Sequence, residues 1–231
     1  MNILILGDGL LGSELVKQTG WTYISRKKSE RFNFTTPSTY EAWFKYPFDT
    51  IINCIACTDT YSTKRKEHWA INYKAVSDLV DLCNQYNKKL VHISTDYLYT
   101  FSKDNATEND VPVHCRNWYG YTKLLADGYV QLKADNFLLI RSTHKAEPFT
   151  FDTAWTTQTG NFDYVSVIAD LIIKLITKDS HGIYNVGTEV KTMYDLAKRT
   201  AKNVKPTSTK LDESTPSNLI MDIKKMNKAL S

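Results

Sequence analysis

Short runs rich in apolar and β-forming residues, the first of them almost wholly apolar, alternate along this chain with longer stretches whose apolar positions recur every three or four residues. Residues 1–6 (MNILIL), 21–25, 49–56, 89–94, 137–141 and 182–186 form the first class. Such brief runs without polar alternation are what a parallel strand, covered on both faces, requires. Residues 11–19, 63–86, 118–132, 165–177, 192–203 and 222–230 carry helical spacing. In the second of these, Trp69, Val76, Leu79, Val80 and Cys83 fall along one face. Residues 37–46 read as a short helix with Pro37 in its first turn.

Strands and helices in strict alternation, joined by short turns, predict an α/β fold with a doubly wound parallel sheet. Patterning is weakest at 145–162 and 205–217. Ligands in such sheets bind beyond the carboxyl ends of the strands, so these segments are expected on the substrate side. The expected division is a nucleotide-binding domain over 1–144 and a small substrate-side lobe over 145–231, with 165–187 packing back onto the sheet.

Composition changes this picture little. The chain of 231 residues is 42% hydrophobic and 23% charged, enough for an ordinary core. No apolar run reaches the roughly 20 residues of a membrane span. The first strand lacks the basic flank of a signal peptide. The formal charge of +4 is spread among acids with no Lys/Arg block, so neither a nucleic-acid nor a membrane partner is expected. Cys54 and Cys57 form a C-x-x-C, but inside a strand and its exit, with no second pair at zinc spacing. They read, with Cys83 and Cys115, as free thiols in a reducing compartment, and a cytoplasmic location is expected. No metal site is expected.

Chemistry is concentrated in three places. Gly7-Asp8-Gly9-Leu10-Leu11-Gly12 is a G-x-G-x-x-G between the first strand and the first helix. There glycines permit a tight turn, close approach to a pyrophosphate and close helix–strand packing, while the helix N-terminus faces the phosphates. This is the Rossmann pattern. After the second strand, where an acid would hold a ribose 2′-hydroxyl, the chain has Ser25, Arg26 and Lys27, suited to a 2′-phosphate and hence to NADP(H). Tyr119 and Lys123 form a Y-x-x-x-K, one turn apart on one helical face. A nearby ammonium is expected to lower the phenol's pKa and make it a usable proton donor. Thr95, at the end of the fourth strand, is placed to hydrogen-bond a carbonyl.

The glycine loop, ISTDY at 93–97, YGYTK at 119–123 and GIYNVG at 182–187 together resemble the extended short-chain dehydrogenase/reductases, and among them the dTDP-4-dehydrorhamnose reductase family. IINCIACT, AINYKAVSDLV, FLLIRST and SNLIMDIKKM extend that resemblance over nearly the whole chain. It implies Thr95, Tyr119 and Lys123 as the catalytic set. It implies Gly7, Gly9, Leu10, Leu11, Gly12, Ser25, Arg26, Asn33, Cys54, Ala56, Asn72 and Lys123 around the cofactor, and Asp96, Tyr97 and His144 around the substrate. The implied reaction is reduction by NADPH of the 4-keto group of a nucleotide-linked 6-deoxy sugar, with Lys123 keeping the Tyr119 pKa low. A homodimer is a further expectation.

Three departures stand out. The loop is one residue shorter than the family's G-x-x-G-x-x-G, His144 replaces a family Trp, and the segment from His144 to Tyr164 is much shorter than usual, which implies a missing helix near the substrate. Other readings follow from these. One is a non-catalytic NADP-binding regulatory subunit. Another is an epimerase of the same fold, drawing its extra acid or base from His144 or Cys115. A dehydratase is disfavoured because Tyr97 follows Asp96 where a second acid is needed.

Overall fold

A computed structural model describes residues 1–99, 105–110, 117–208 and 215–231. Cys115 and part of the 205–217 segment lie outside the described residues. Six strands form one parallel sheet: β1 (Ile3–Leu6), β2 (Thr22–Ile24), β3 (Thr50–Asn53), β4 (Lys89–Ile93), β5 (Phe137–Arg141) and β10 (Gly182–Asn185). Their order is β10-β5-β4-β3-β1-β2. The order reverses beside β1, which places the sheet's topological switch next to the glycine loop.

Alternation within each strand builds two cores. Leu4 and Leu6 of β1 point to one face, where they join Val76, Leu79 and Val80 of α3 (Ala75–Gln85) and Ala126 and Val130 of α4 (Trp118–Lys133). Ile3 and Ile5 point to the other, against Leu11 and Leu15 of α1 (Leu10–Thr19), Ile168 and Ile172 of α5 (Val165–Thr177) and Met226 of α7 (Lys224–Leu230). Both faces are covered, so the polar residues these strands do carry, among them Asn53 and His92, are buried.

The expected long helix over 63–86 is broken. A first turn, α2 (Arg65–His68), passes into a π-helical stretch at Trp69–Lys74 before α3 begins. Asn72 lies in that wide turn, with its amide holding Cys57. The helix expected at 37–46 is two short 3-10 turns, Pro37–Thr39 and Glu41–Lys45. The helix expected over 192–203 stops early, as α6 (Met193–Lys198), capped by Thr192 and Asp195 in a reciprocal capping box.

Outside the sheet the chain forms short strands: β6 (His144–Lys145), β7 (Thr153–Trp155), β8 (Thr159–Gly160), β9 (Asp163–Tyr164), β11 (Lys191–Thr192), β12 (Lys205–Thr207) and β13 (Asn218–Leu219). No helix lies between β5 and α5. A separate small core gathers Phe149, Ala154, Phe162, Tyr164, Met193 and Leu196. Among the described residues, no helix is long and apolar enough to cross a membrane.

Candidate active site

The glycine turn is sterically closed. Gly7 has φ +98°, a conformation open to glycine and costly for other residues. A Cβ on Gly12 would lie 2.1 Å from the Gly7 carbonyl oxygen, so helix and turn pack at backbone distance. Around Gly9, by contrast, a Cβ would meet nothing within 4 Å. The turn therefore presents open backbone to a cleft, and the first N–H groups of α1 are free of side-chain caps.

That cleft continues as two cavities. One, of about 310 Å³, is lined by Gly7, Gly9, Ser25, Arg26, Lys27 and Asn33, with Cys54 and Ala56 opposite. Arg26 and Lys27 are exposed on its rim. Lys28 turns away, donating to the Tyr23 carbonyl at 3.2 Å with its ammonium over the Tyr23 ring. Asn33 has its side-chain oxygen engaged by Thr35. Asn72 is not on this wall. It is fully buried behind residues 54–57, where its oxygen accepts from Cys57 N at 2.7 Å and its nitrogen donates to Thr122 Oγ1 at 3.2 Å. Its place is that of a brace for the loop after β3.

The second cavity, of about 360 Å³, brings together Gly9, Leu10, Leu11, Cys54, Thr95, Tyr97, Tyr119, Lys123 and His144. The Tyr119 phenol hydrogen-bonds the Thr95 hydroxyl. Its ring meets the Tyr97 ring edge-on at 5.8 Å. Helix α4 starts with an Asn117 side chain accepting from Gly120 N at 2.7 Å, which fixes Tyr119 in the first turn. Asp96 is buried beneath. Its Oδ1 accepts from Thr95 at 3.3 Å and Thr143 at 2.5 Å, while Oδ2 has no protein partner. Burial pushes the Asp96 carboxyl up to about 6.

One expectation is corrected. Lys123 does not lower the Tyr119 pKa. Burial pushes the phenol up to about 12, opposed by the Thr95 hydrogen bond and reinforced by the Asp96 charge. The reason is geometric: the Lys123 amine is turned into the sheet edge, donating to the Ile93 carbonyl at 2.6 Å and lying 3.3 Å from His92 Nε2.

Sequence reasoning missed three features. Lys145 lines both the second cavity and a third one of about 460 Å³, whose walls include Tyr61, Tyr97, Phe149, Phe151 and Trp155. No periodic signal marks it, because β6 is two residues long. Ser142, also on the wall of the second cavity, carries a buried Oγ without a protein partner; His144, expected there from the sequence, lines the same wall with a buried Nδ1 that likewise has none. Arg141 and Asp127, 2% and 1% exposed, form a buried ion pair at 2.8 Å at the carboxyl end of β5. The i to i+14 spacing of that pair has no local signature. Cys54, Cys57 and Cys83 are free thiols.

Residues 1–144 match the RmlD substrate binding domain family. The chain belongs to that family. The probable low-salt glycan biosynthesis reductase Agl14 of Haloferax volcanii is 28% identical over 150 residues, 58% of this chain and 50% of that protein. This chain thus aligns with only half the length of that curated relative. The spore coat polysaccharide biosynthesis protein SpsK of Bacillus subtilis is 24% identical over 84% of this chain and 76% of its own. Among solved structures, a hypothetical dTDP-4-dehydrorhamnose reductase from Sulfolobus tokodaii superposes with a TM-score of 0.82 at 25% identity, covering 100% of this chain and 95% of that one. A dTDP-4-dehydrorhamnose reductase from Bacillus anthracis, in complex with NADP, superposes with a TM-score of 0.83 at 21% identity, covering 98% and 90%. The six-stranded parallel sheet of this RmlD-family chain is the fold those structures share.

Proposed function

We propose that this RmlD-family protein is an NADP(H)-dependent reductase of the 4-keto group of a 6-deoxy sugar carried on a nucleoside diphosphate. The observation that carries the reading is the meeting, in one cavity, of an open glycine turn, the Tyr119 phenol bonded to Thr95, and Lys123. The residues fit a dinucleotide. Backbone is bare at Gly9, and the Gly7–Gly12 contact leaves the N–H groups of α1 directed at the cleft. Arg26 and Lys27 would pair with a 2′-phosphate. When bound, the cofactor supplies the hydride.

The protein's own part is proton delivery and orientation. A phenol near 12 remains protonated at neutral pH, ready to donate from its Oη to a new alkoxide and unsuited to act as a base. Thr95 directs the carbonyl toward that phenol. Two features favour a nucleotide-linked substrate: the aromatic cavity, able to stack a base, and Lys145 at its junction with the catalytic cavity, able to take a diphosphate between base and sugar. The buried unpartnered atoms of Ser142 and His144 offer hydrogen bonds to sugar hydroxyls.

The test is NADPH oxidation with a panel of nucleoside-diphosphate 4-keto sugars. Turnover with at least one, cut about 10²- to 10⁴-fold by Tyr119→Phe with NADPH affinity unchanged, is the expected result. Cofactor binding without turnover on any of them sinks the reductase in favour of a regulatory NADP-binding subunit.

A further inference from the structure

The hydrogen bonds around His92 fix a proton inventory that the reaction scheme above does not use. His92, in the middle of β4, is fully buried. Its Nδ1 lies 3.2 Å from Asn53 Nδ2, and its Nε2 lies 3.3 Å from Lys123 Nζ. The orientation of the Asn53 amide is set from outside this pair. Ile55 N–H points at the other Asn53 atom from 3.0 Å, and only an oxygen can accept there. The amide nitrogen therefore faces the ring. A nitrogen donor opposite Nδ1 requires Nδ1 to accept, so the single proton of a neutral imidazole sits on Nε2. The ring is neutral: burial holds His92 well below the ordinary histidine range.

An Nε2–H aimed at Lys123 makes a hydrogen bond with an amine, which has a lone pair, and none with an ammonium, which has only donors. The remaining surroundings do not favour the ammonium. Lys123 is 1% exposed. On α4 the one acid acting on it is Asp127, whose oxygens are already taken by Arg141 of β5, Ser94 and Gln131. After β3, Cys54 is held as a neutral thiol by burial, pushed up to about 12. Tyr119, one turn back on α4, is a neutral phenol, and the Asp96 charge acts on Tyr119 rather than on Lys123. Charging a buried amine with no uncommitted anion beside it is unfavourable.

We propose that His92, oriented by Asn53, is a positioning residue that at alkaline pH seats Lys123 as a neutral amine through an Nε2–H···Nζ hydrogen bond, and that leaving this seat for a bound nicotinamide cofactor then costs the protein one proton taken up from solvent. The seat itself is a property of the unliganded protein. Only the proton uptake rests on the cofactor reading above. In the seat, Lys123 receives from His92 and gives to the Ile93 carbonyl, so every polar atom of the chain Ile55–Asn53–His92–Lys123–Ile93 is matched donor to acceptor. Burial, the larger effect, brings Lys123 down to about 8, with the Asp127 charge opposing.

The experiment begins with unliganded protein labelled with ¹⁵N and ¹³C at histidine and lysine. Ring nitrogen shifts should show His92 protonated on Nε2, and the Lys123 Cε signal should titrate with a midpoint near 8. A proton on Nδ1, or a Lys123 midpoint near 10, overturns the proposal. In His92→Gln the amide oxygen accepts from an ammonium, so the Lys123 midpoint should rise by about one pH unit or more. A midpoint that stays put shows that burial alone sets it, and removes the role of His92. Calorimetric titration with NADP(H) in buffers of different ionisation enthalpy should then register about nine-tenths of a proton taken up at pH 9 and about a quarter at pH 7.5, as a midpoint of 8 dictates. Uptake that is absent at pH 9 despite tight binding overturns the linkage. Failure of any nicotinamide cofactor to bind instead sinks the cofactor reading, while the tautomer and the lysine midpoint still decide the seat.

Discussion

Among the described residues, the six-stranded sheet and the short-strand region each contain one ion pair buried on both partners, and the two pairs sit in very different surroundings. In the first, Arg141 on β5 meets Asp127 on α4 with two contacts, at 2.8 and 3.0 Å, and both side chains are almost wholly buried. A six-stranded sheet and helices on both faces fix the backbone around them. In the second, Lys191 of β11 meets Asp163 of β9 at 3.0 Å, but the flanking strands are two residues long. There the lysine also touches Glu189, the Phe162 carbonyl and Thr188, and Arg199 reaches Asp163 from the surface at 3.5 Å. Around the sheet, packing carries the polar pair. In the short-strand region, the polar network does much of the work of holding short strands together.

Removing one partner separates the two cases most strongly. Asp127→Ala strands a buried guanidinium whose other hydrogen bonds go to Tyr99 and, at 3.5 Å, the Glu108 carbonyl, neither of them an anion. It should cost about 3–5 kcal/mol, spread over a single cooperative unfolding transition. Asp163→Ala leaves Lys191 with Glu189, Thr188 and a carbonyl, and should cost nearer 1.5–3 kcal/mol. Hydrogen exchange should localise that loss to residues 159–192. Denaturant titration of both variants checks the ranking. Equal costs, or uniform exchange in Asp163→Ala, would erase the distinction between the two regions.

The same contrast explains what could be read from the chain. The four central strands were legible because each is a short run buried on both faces, the edge strands β2 and β10 because short β-forming runs stand between turns, and α5 to the residue because its apolar stripe is continuous. The glycine turn carried its own context. The pairings β11–β8–β13 were not legible. They join residues 160, 191 and 219, far apart in sequence, and two-residue strands have no period to detect. The π-helical stretch at Trp69–Lys74 was also hidden, because a helical stripe of apolar residues does not register one widened turn. At the site, residue types placed Thr95, Tyr119 and Lys123 around one cavity. They could not show that Lys123 turns to the Ile93 carbonyl beside the buried Asn53 of β3 and His92 of β4, which are distant from it in sequence.

Asp96 gives the next largest effect, and it lies on the border between the two regions. Burial raises its carboxyl from an unfolded value of 3.8 to about 6, so the folded protein holds a proton that the unfolded chain releases. Between pH 4 and 6 the folded state binds more protons, and this contribution to stability falls as pH rises through that window. Above pH 6 the full penalty is present, on the order of 2–3 kcal/mol. Asp96→Asn keeps an oxygen for Thr95 and Thr143 and carries no charge. Its stability relative to wild type should therefore improve from pH 4 to pH 6 and stay level above. A difference between the two proteins that does not vary with pH would show that Asp96 remains charged throughout.

Lys145 is the smallest and most specific test, because it separates the cavities rather than the cores. Burial lowers its pKa and the Asp96 charge opposes that, yet it lies on the walls of both the catalytic and the aromatic cavity. Among the described residues lining the aromatic cavity it is the sole cation. Lys145→Met keeps the aliphatic stem packed in β6 and deletes the charge. If the aromatic cavity takes the base and Lys145 the diphosphate, KM for the nucleotide sugar should rise about tenfold, roughly 1.4 kcal/mol, while kcat and the affinity for NADPH stay near wild type. The six-stranded sheet does not contain this residue, so a change confined to NADPH binding would show that the division of labour is drawn in the wrong place. A fall in kcat at unchanged KM would move Lys145 from binding the substrate's anionic link to assisting the reacting carbonyl beside Asp96.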